Sequence, residues 1–321
     1  MTGSARVPSV AAAIRRGDRR ALAKAITAVE NADPSIAPVV KALYSETGSI
    51  PVVGLSGPLG VGKSSLLNSL IGALRAEGKT VGAIAVDPSS PFSGGSVLGD
   101  RIRLERRADD DGVFFRSMAS RGEAGGVAAA TREVARLLEA AGFDVVFVET
   151  VGSGQVDVAI REIASTNVVV LVPHLGDEVQ TLKAGLFEIA DVFCVNKADL
   201  PGSELAARDL TELVALGKGR DNWSAPIVRT STTLPTGVAE LWRAIASHES
   251  FLDTTGGRRA GERRRLAAEI AGRLRNRVGN DVTRRLERDP ELRSILDRVA
   301  ARKLDPRSAA DQLYRGWYRG R

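Results

Sequence analysis

The sequence predicts an α/β fold with a doubly wound, mostly parallel sheet and helical extensions at both ends. Three observations predict it. From residue 50 onward, short β-branched runs alternate with stretches of helical periodicity, the order expected of parallel strands joined by crossover helices. Several runs are almost continuously apolar, as strands covered on both faces must be. The first run passes through a glycine-rich turn straight into a helical segment.

In chain order, Asp18 is placed to cap a helix in which Leu22, Ile26 and Val29 recur at helical spacing. Pro34 opens a second helical segment through Tyr44, and Gly48 follows as a stop signal. Residues 1–48 therefore read as an N-terminal helical extension. Strands are predicted over 52–56, 80–86, 113–116, 144–149, 167–172, 191–195 and 227–230, with helices between them at 63–77, 127–141 and 204–216. These lie within one domain, 49–252. Thr254-Thr255-Gly256-Gly257 reads as a linker, and 258–321 as a C-terminal helical arm. Leu266, Ile270, Leu274 and Val278 form one stripe of that arm, which needs either the core or a second subunit to cover it.

Composition excludes several classes. Hydrophobic content of 43% and charged content of 26% are those of an ordinary globular chain. The formal charge of +6 owes much to the C-terminal arm. Much of the basic excess sits in the last sixty or so residues, which read as a solvated helical face rather than a base-stacking platform, so no nucleic-acid partner is expected. The single cysteine, Cys194, sits in the apolar run 192–195 and reads as a buried strand residue. With no intrachain disulfide available, no signal-like N-terminus and no long apolar span, the expected location is the cytoplasm, without membrane association.

The strongest chemical signal is Gly57-Pro58-Leu59-Gly60-Val61-Gly62-Lys63-Ser64, a full match to the phosphate-binding loop, lying between a predicted strand and a predicted helix. Glycines let backbone amides curl around phosphate oxygens, and the helix N-terminus adds partial positive charge. Gly57, Gly60, Val61, Gly62, Lys63, Ser64 and Ser65 are the expected phosphate contacts. Lys63 is expected to reach the β- and γ-phosphates and Ser64 to ligate magnesium. Asn196-Lys197-Ala198-Asp199, after the strand at 191–195, selects the base. Guanine presents an imino and an amino donor on one edge, which the Asp199 carboxylate accepts together, whereas adenine lacks that pair. Asn196 is expected to brace the loop at the purine edge and Lys197 to cover the ring. Thr230-Ser231-Thr232, ending the next strand, is placed to offer a backbone amide to the guanine carbonyl, with Ser231 and Thr232 as the candidate contacts. Glu149-Thr150-Val151-Gly152 ends the strand at 144–149. Glu149 is a candidate for the magnesium shell and the Gly152 amide for sensing the γ-phosphate. Gln155 is a candidate for orienting water, against the plainer alternative of an exposed loop glutamine. The long polar loop 87–100 offers Asp87 for an outer magnesium shell and Asp100 for metal contact or water activation, with a turn or cap aspartate as the alternative in each case. Arg116 and Arg121 flank a segment that either supplies an arginine finger or makes ordinary surface contacts.

The ordered set VDPSSPFSGGSVLGDRIRL, RSMASRGEAGGVA, VETVGSGQVDVA and GDEVQTLKAGLFEIADVFCVNKADL resembles the MeaB/ArgK-like GTPases, accessory proteins of adenosylcobalamin-dependent methylmalonyl-CoA mutase. The resemblance covers residues 40–250. It implies that Asp87, Asp100 and Glu149 fall in magnesium and switch positions. It also implies that Asp177, Glu178, Gln180 and Lys183 belong to a loop coupling nucleotide state to the mutase, and that the C-terminal arms contribute to a homodimer. Three departures stand out: the phosphate loop reads GPLGVGKSS, Pro173-His174-Leu175-Gly176 leads into the coupling loop, and the guanine-side strand ends Thr230-Ser231-Thr232. The second bears on partner choice.

The function implied is a GTP-binding and GTP-hydrolysing chaperone that gates cofactor loading or protection of that mutase or a related acyl-CoA mutase. Two alternatives differ in class. A metal-delivery GTPase needs Cys and His clusters, but this chain has one Cys and two His, His174 and His248. A transport-associated ATPase or kinase conflicts with the guanine-type motif at Asn196–Asp199.

Overall fold

The computed structural model describes residues 3–88, 110–120, 126–150, 160–173, 188–216, 222–234 and 236–318. The chain divides into two units, Met1–Glu269 and Ile270–Arg321.

The larger unit opens with helices α1 (Gly3–Arg15), α2 (Arg19–Glu30) and α3 (Ala37–Leu43). Asp18 caps α2 as its position predicts: its carboxylate accepts from Arg20 N and Ala21 N at 2.9 Å each, satisfying amides that have no intrahelical acceptor. Then follow β1 (Val52–Ser56), α4 (Lys63–Ala76), β2 (Val81–Pro88), β3 (Val113–Ser120), α5 (Gly126–Ala140) and β4 (Val145–Thr150). After a short 3-10 turn at Ile160–Glu162 come β5 (Thr166–Leu171), β6 (Val192–Val195), α6 (Ser203–Leu216), β7 (Ile227–Arg229) and α7 (Val238–Thr255).

The strands form one seven-stranded sheet in the order β3-β2-β4-β1-β5-β6-β7, and every pairing is parallel. Side chains alternate between two cores. Val146, Val148, Val169, Leu171, Phe193 and Val195 pack with α1, α2, α3 and α5 on one face. Val145, Phe147, Val168, Val170, Val192 and Cys194 pack with α4 and α7 on the other. Because both faces are covered, these strands show no polar alternation. β1 lies at the centre, between β4 and β5, where the chain crosses from one half of the sheet to the other. In sheets of this kind ligands bind beyond the carboxyl ends of the strands at that crossing.

Two local expectations need correction. β3 runs to Ser120, well past residue 116, because its polar second half pairs with β2 as far as Asp87↔Ala119 and Pro88↔Ser120. The Thr254–Gly257 stretch is no linker: α7 continues to Thr255, Gly256 adopts φ 73°, and α8 (Gly257–Arg288) starts at the next residue. A left-handed glycine at this place ends one helix and lets the next begin at once. The first turns of α8 are held by Glu269, which pairs with Arg136 of α5 at 2.8 Å, and by Arg258, which pairs with Glu249 at 2.8 Å.

In the smaller unit, α9 (Pro290–Ala300) and α10 (Pro306–Tyr318) pack through Leu292, Ile295 and Ala309. Ile270, Leu274 and Val278 of α8 are 59%, 57% and 45% exposed.

Phe147 is fully buried beneath α4. Phe147→Ala is expected to cost about 3–5 kcal/mol of unfolding free energy through lost burial and a residual cavity. Urea denaturation followed by circular dichroism checks this; a loss under about 1 kcal/mol would contradict the packing described.

Candidate functional site

Parallel strands bring the segments after β1, β4, β6 and β7 to one edge of the sheet. The turn after β1 is shaped by glycines with positive φ, 138° at Gly57 and 90° at Gly62. A Cβ on Gly57 would stand 2.1 Å from the Val170 carbonyl oxygen of β5, and one on Gly62 would stand 2.7 Å from Asn196 Nδ2. Any side chain at Gly57 would therefore meet backbone as well as strained geometry. The turn delivers the chain into α4, where Leu66 N bonds Gly62 O at 2.9 Å. The amides before it lack intrahelical acceptors and carry the helix's partial positive charge.

Lys63 opens α4 and is only 6% exposed. Its ammonium donates to Gly57 O at 2.7 Å and Pro58 O at 2.8 Å, so the buried charge is solvated by carbonyls of its own turn. The next residue reaches across to β4: Ser64 Oγ donates to Glu149 Oε1 at 2.6 Å. Glu149 is 8% exposed. Asp87 stands on β2 one position beyond Val86, the partner of Thr150, so its backbone reaches the same edge. Ser65 continues α4, its carbonyl accepting from Ser69 Oγ at 3.1 Å.

Asn196 directly follows β6 and is almost fully buried. Its backbone amide donates to Leu171 O at 2.8 Å, its Nδ2 donates to Val61 O at 2.8 Å, and its Oδ1 accepts from Thr230 Oγ1 at 3.1 Å. Lys197, in a left-handed conformation with φ 57°, donates from Nζ to Gly60 O at 2.8 Å. Two side chains after β6 thus grip the turn after β1. Asp199 is exposed, and its Oδ1 accepts from Ser231 Oγ at 2.5 Å. The same Ser231 Oγ accepts from Leu234 N at 3.0 Å, fixing the turn that contains Thr232. Ala198 N donates to Thr230 O at 2.9 Å, which joins the two loops through backbone as well.

The expected phosphate and base residues therefore lie together, and Ser64 meets Glu149. Asp100, Arg121, Gly152, Gln155, His174, Asp177, Glu178, Gln180 and Lys183 lie outside the described residues. Arg116 has a structural engagement: its guanidinium pairs with Glu30 of α2, Nε donating to Oε1 at 3.0 Å, and this hydrogen bond holds its pKa above the usual arginine value. Thr230 was expected only as part of the backbone facing the guanine carbonyl, not for its side chain. Its hydroxyl bridges Asn196 Oδ1 and Cys194 Sγ, the latter at 3.1 Å.

A family model described as methylmalonyl-CoA mutase-associated GTPase MeaB matches residues 22–288. The chain is 46% identical over 301 residues to a putative GTPase of Pyrococcus horikoshii, covering 93% of this chain and 94% of that protein. It is 34% identical over 309 residues to the GTPase ArgK of Escherichia coli, covering 94% and 93%. Among solved structures, it is similar to one titled LAO/AO transport system kinase, with a TM-score of 0.76, 26% identity and 99% of both chains covered.

Cys194 gives a direct probe of this packing. Burial pushes its thiol pKa up to about 12, with the Thr230 hydrogen bond opposing the shift. At pH 8 only about one thiol in ten thousand would be ionised. The folded protein is expected to show no reaction with a disulfide-exchange reagent at pH 8, and one thiol per chain after denaturation. Rapid titration of the folded chain would contradict the burial.

Proposed function

The chain belongs to the methylmalonyl-CoA mutase-associated GTPase (MeaB) family, and on that premise we propose that its GTPase cycle gates cofactor loading or protection of an adenosylcobalamin-dependent acyl-CoA mutase. The observation that carries the nucleotide part is the joining of two loops. The turn Gly57–Ser65 and the segment Asn196–Asp199 are tied by Asn196 Nδ2 on Val61 O and Lys197 Nζ on Gly60 O. A ligand with a phosphate chain at one end and a purine at the other would span such a unit.

In this reading the turn's amides and the α4 N-terminus bind phosphate oxygens. Lys63 exchanges its carbonyl acceptors for β- and γ-phosphate oxygens, holding the chain of phosphates straight for in-line attack by water. Asp199 accepts the guanine imino and amino hydrogens, Lys197 covers the ring, and Ser231 and Thr232 line the carbonyl side of the base. Gly152 senses the γ-phosphate, and Asp100 and Gln155 are assigned to the attacking water.

Magnesium, which the fold family implies, fits the donor set here. The Ser64 hydroxyl and the buried Glu149 carboxylate bring a neutral and an anionic oxygen within 2.6 Å of each other, the hard ligands this ion prefers. Ser64 and Glu149 would hold it, with Asp87 and Asp100 as further ligands or outer contacts. When bound it supplies charge neutralisation on the β- and γ-phosphates.

The mutase part rests on the family. Residues 1–48 would form the helical extension, 49–252 the GTPase domain and 258–321 a dimerisation arm. The exposed Ile270, Leu274 and Val278 stripe supports a homodimer, since a second copy would cover it. Asp177, Glu178, Gln180 and Lys183 would couple nucleotide state to the mutase.

Three measurements test the proposal. Asp199→Asn is expected to weaken GTP about a hundredfold or more relative to XTP, since two charge-assisted hydrogen bonds are lost; an unchanged GTP:XTP ratio would remove Asp199 from the base site. Addition of a cobalamin-dependent acyl-CoA mutase is expected to change the GTP turnover of the chain, and indifference to all such mutases would end the partner assignment. Ile270→Glu with Leu274→Glu is expected to yield monomers in light scattering, against dimers for the unsubstituted chain; dimers that survive both changes would refute the arm's role.

A further inference from the structure

The opposite edge of the sheet carries a second cluster of charged and aromatic groups. Asp191 immediately precedes β6 and Asn196 immediately follows it, so the two positions are about 17 Å apart at about 3.3 Å per residue. At the Asp191 end lies a cavity of about 280 Å³, walled in part by Arg161, Glu162, Trp223, His248, Phe251 and Arg265, with Glu162 lying 3.9 Å from Arg132.

Much of the polar wall is already matched. Asp191 Oδ2 accepts from Asn167 N at 2.8 Å and Nδ2 at 3.1 Å, and its Oδ1 lies 3.6 Å from His248 Nε2. His248 Nδ1 hydrogen bonds Thr166 Oγ1 at 2.8 Å. Glu249 Oε1 accepts from Thr166 Oγ1 at 2.5 Å and Ser165 Oγ at 2.6 Å. Trp223 donates from its indole to Asp191 O at 2.8 Å, and its ring packs 4.9 Å from His248 and 5.0 Å from Phe251.

One charged group in the wall lacks a direct counter-ion among the described residues. Arg265 donates from Nη1 to Ala164 O at 3.4 Å, a weak contact, and no carboxylate among the described residues lies within ion-pair distance. Burial holds its pKa below the usual arginine value, with Glu262 and Glu249 acting the other way. A guanidinium does not shed its charge, and Glu249 and Glu262 act on it only from beyond ion-pair distance, so a bound anion would supply the direct partner it lacks among the described residues.

We propose that this cavity is a binding site for a small organic anion, its carboxylate or phosphate held by Arg265 and Arg161 and its carbon skeleton set against Trp223 and Phe251. The volume lies just below the usual range of ligand pockets, which starts at about 300 Å³, so the occupant is a small metabolite and not a second nucleotide. The site is independent of the GTP reading, because none of its wall residues belongs to the nucleotide edge.

Calorimetric titration of the full chain with lactate and with glycerol phosphate tests it, the two probes separating carboxylate from phosphate recognition. At least one is expected to bind at a single site with Kd below about 1 mM. Arg265→Gln and Arg161→Gln are each expected to weaken that binding about tenfold or more, while GDP affinity, measured on the same samples, stays unchanged and certifies the fold. Should Arg265→Gln fail to bind GDP, Arg161→Gln alone decides. Absence of binding by both probes, or binding undiminished in the folded variants, overturns the proposal.

Discussion

The hydrogen bonds of Asn196 are the constraint on which the carboxyl edge of this molecule depends. One side chain, buried at the end of β6, holds the turn after β1 through Val61 O and is itself oriented by Thr230 from the end of β7. Its backbone amide bonds Leu171 O at the end of β5. Four strand ends are thereby tied at one residue. Removing such a buried amide takes the side-chain donor from Val61 O and leaves the Thr230 hydroxyl with Cys194 Sγ alone, which costs more than the bonds themselves contribute. The parallel sheet makes the arrangement available, because only parallel strands present all their carboxyl ends on one edge.

Positions in the phosphate turn differ in how far the surrounding structure constrains them. Leu59 is 74% exposed, so the side chain there meets little of the protein. Gly57 and Gly62 are different, because backbone of β5 and the Asn196 amide occupy the space a side chain would need. Conformational freedom at the turn and close approach between loops are thus one requirement, met at two glycines.

Much of the fold was legible. All seven strands lie where apolar runs predict them, since burial on both faces leaves a period-free pattern that composition reveals. The phosphate turn and the Asn196–Asp199 segment were legible because each is contiguous and its chemistry is carried by residue type. What eluded sequence reasoning depends on tertiary partners. Thr230 is a common residue at a strand end, and its role comes from Asn196 and Cys194 beside it. The acceptors of Lys63, Asn196 and Lys197 are backbone carbonyls, which leave no trace in residue identity. Thr254–Gly257 has the composition of a linker, yet Gly256 serves as a helix terminator between two abutting helices. The cluster around Asp191 and His248 draws on strand starts and on α7, separated widely in the chain, so no spacing rule brings them together.

The central claim is that the base-reading and phosphate-gripping loops act as one unit through Asn196. Tripolyphosphate, which has no base, isolates the phosphate half. If the claim holds, Asn196→Ala weakens tripolyphosphate binding as well as GDP binding, by about tenfold or more. If Asn196→Ala lowers GDP affinity while leaving tripolyphosphate affinity unchanged, the two loops are independent and the account is contradicted.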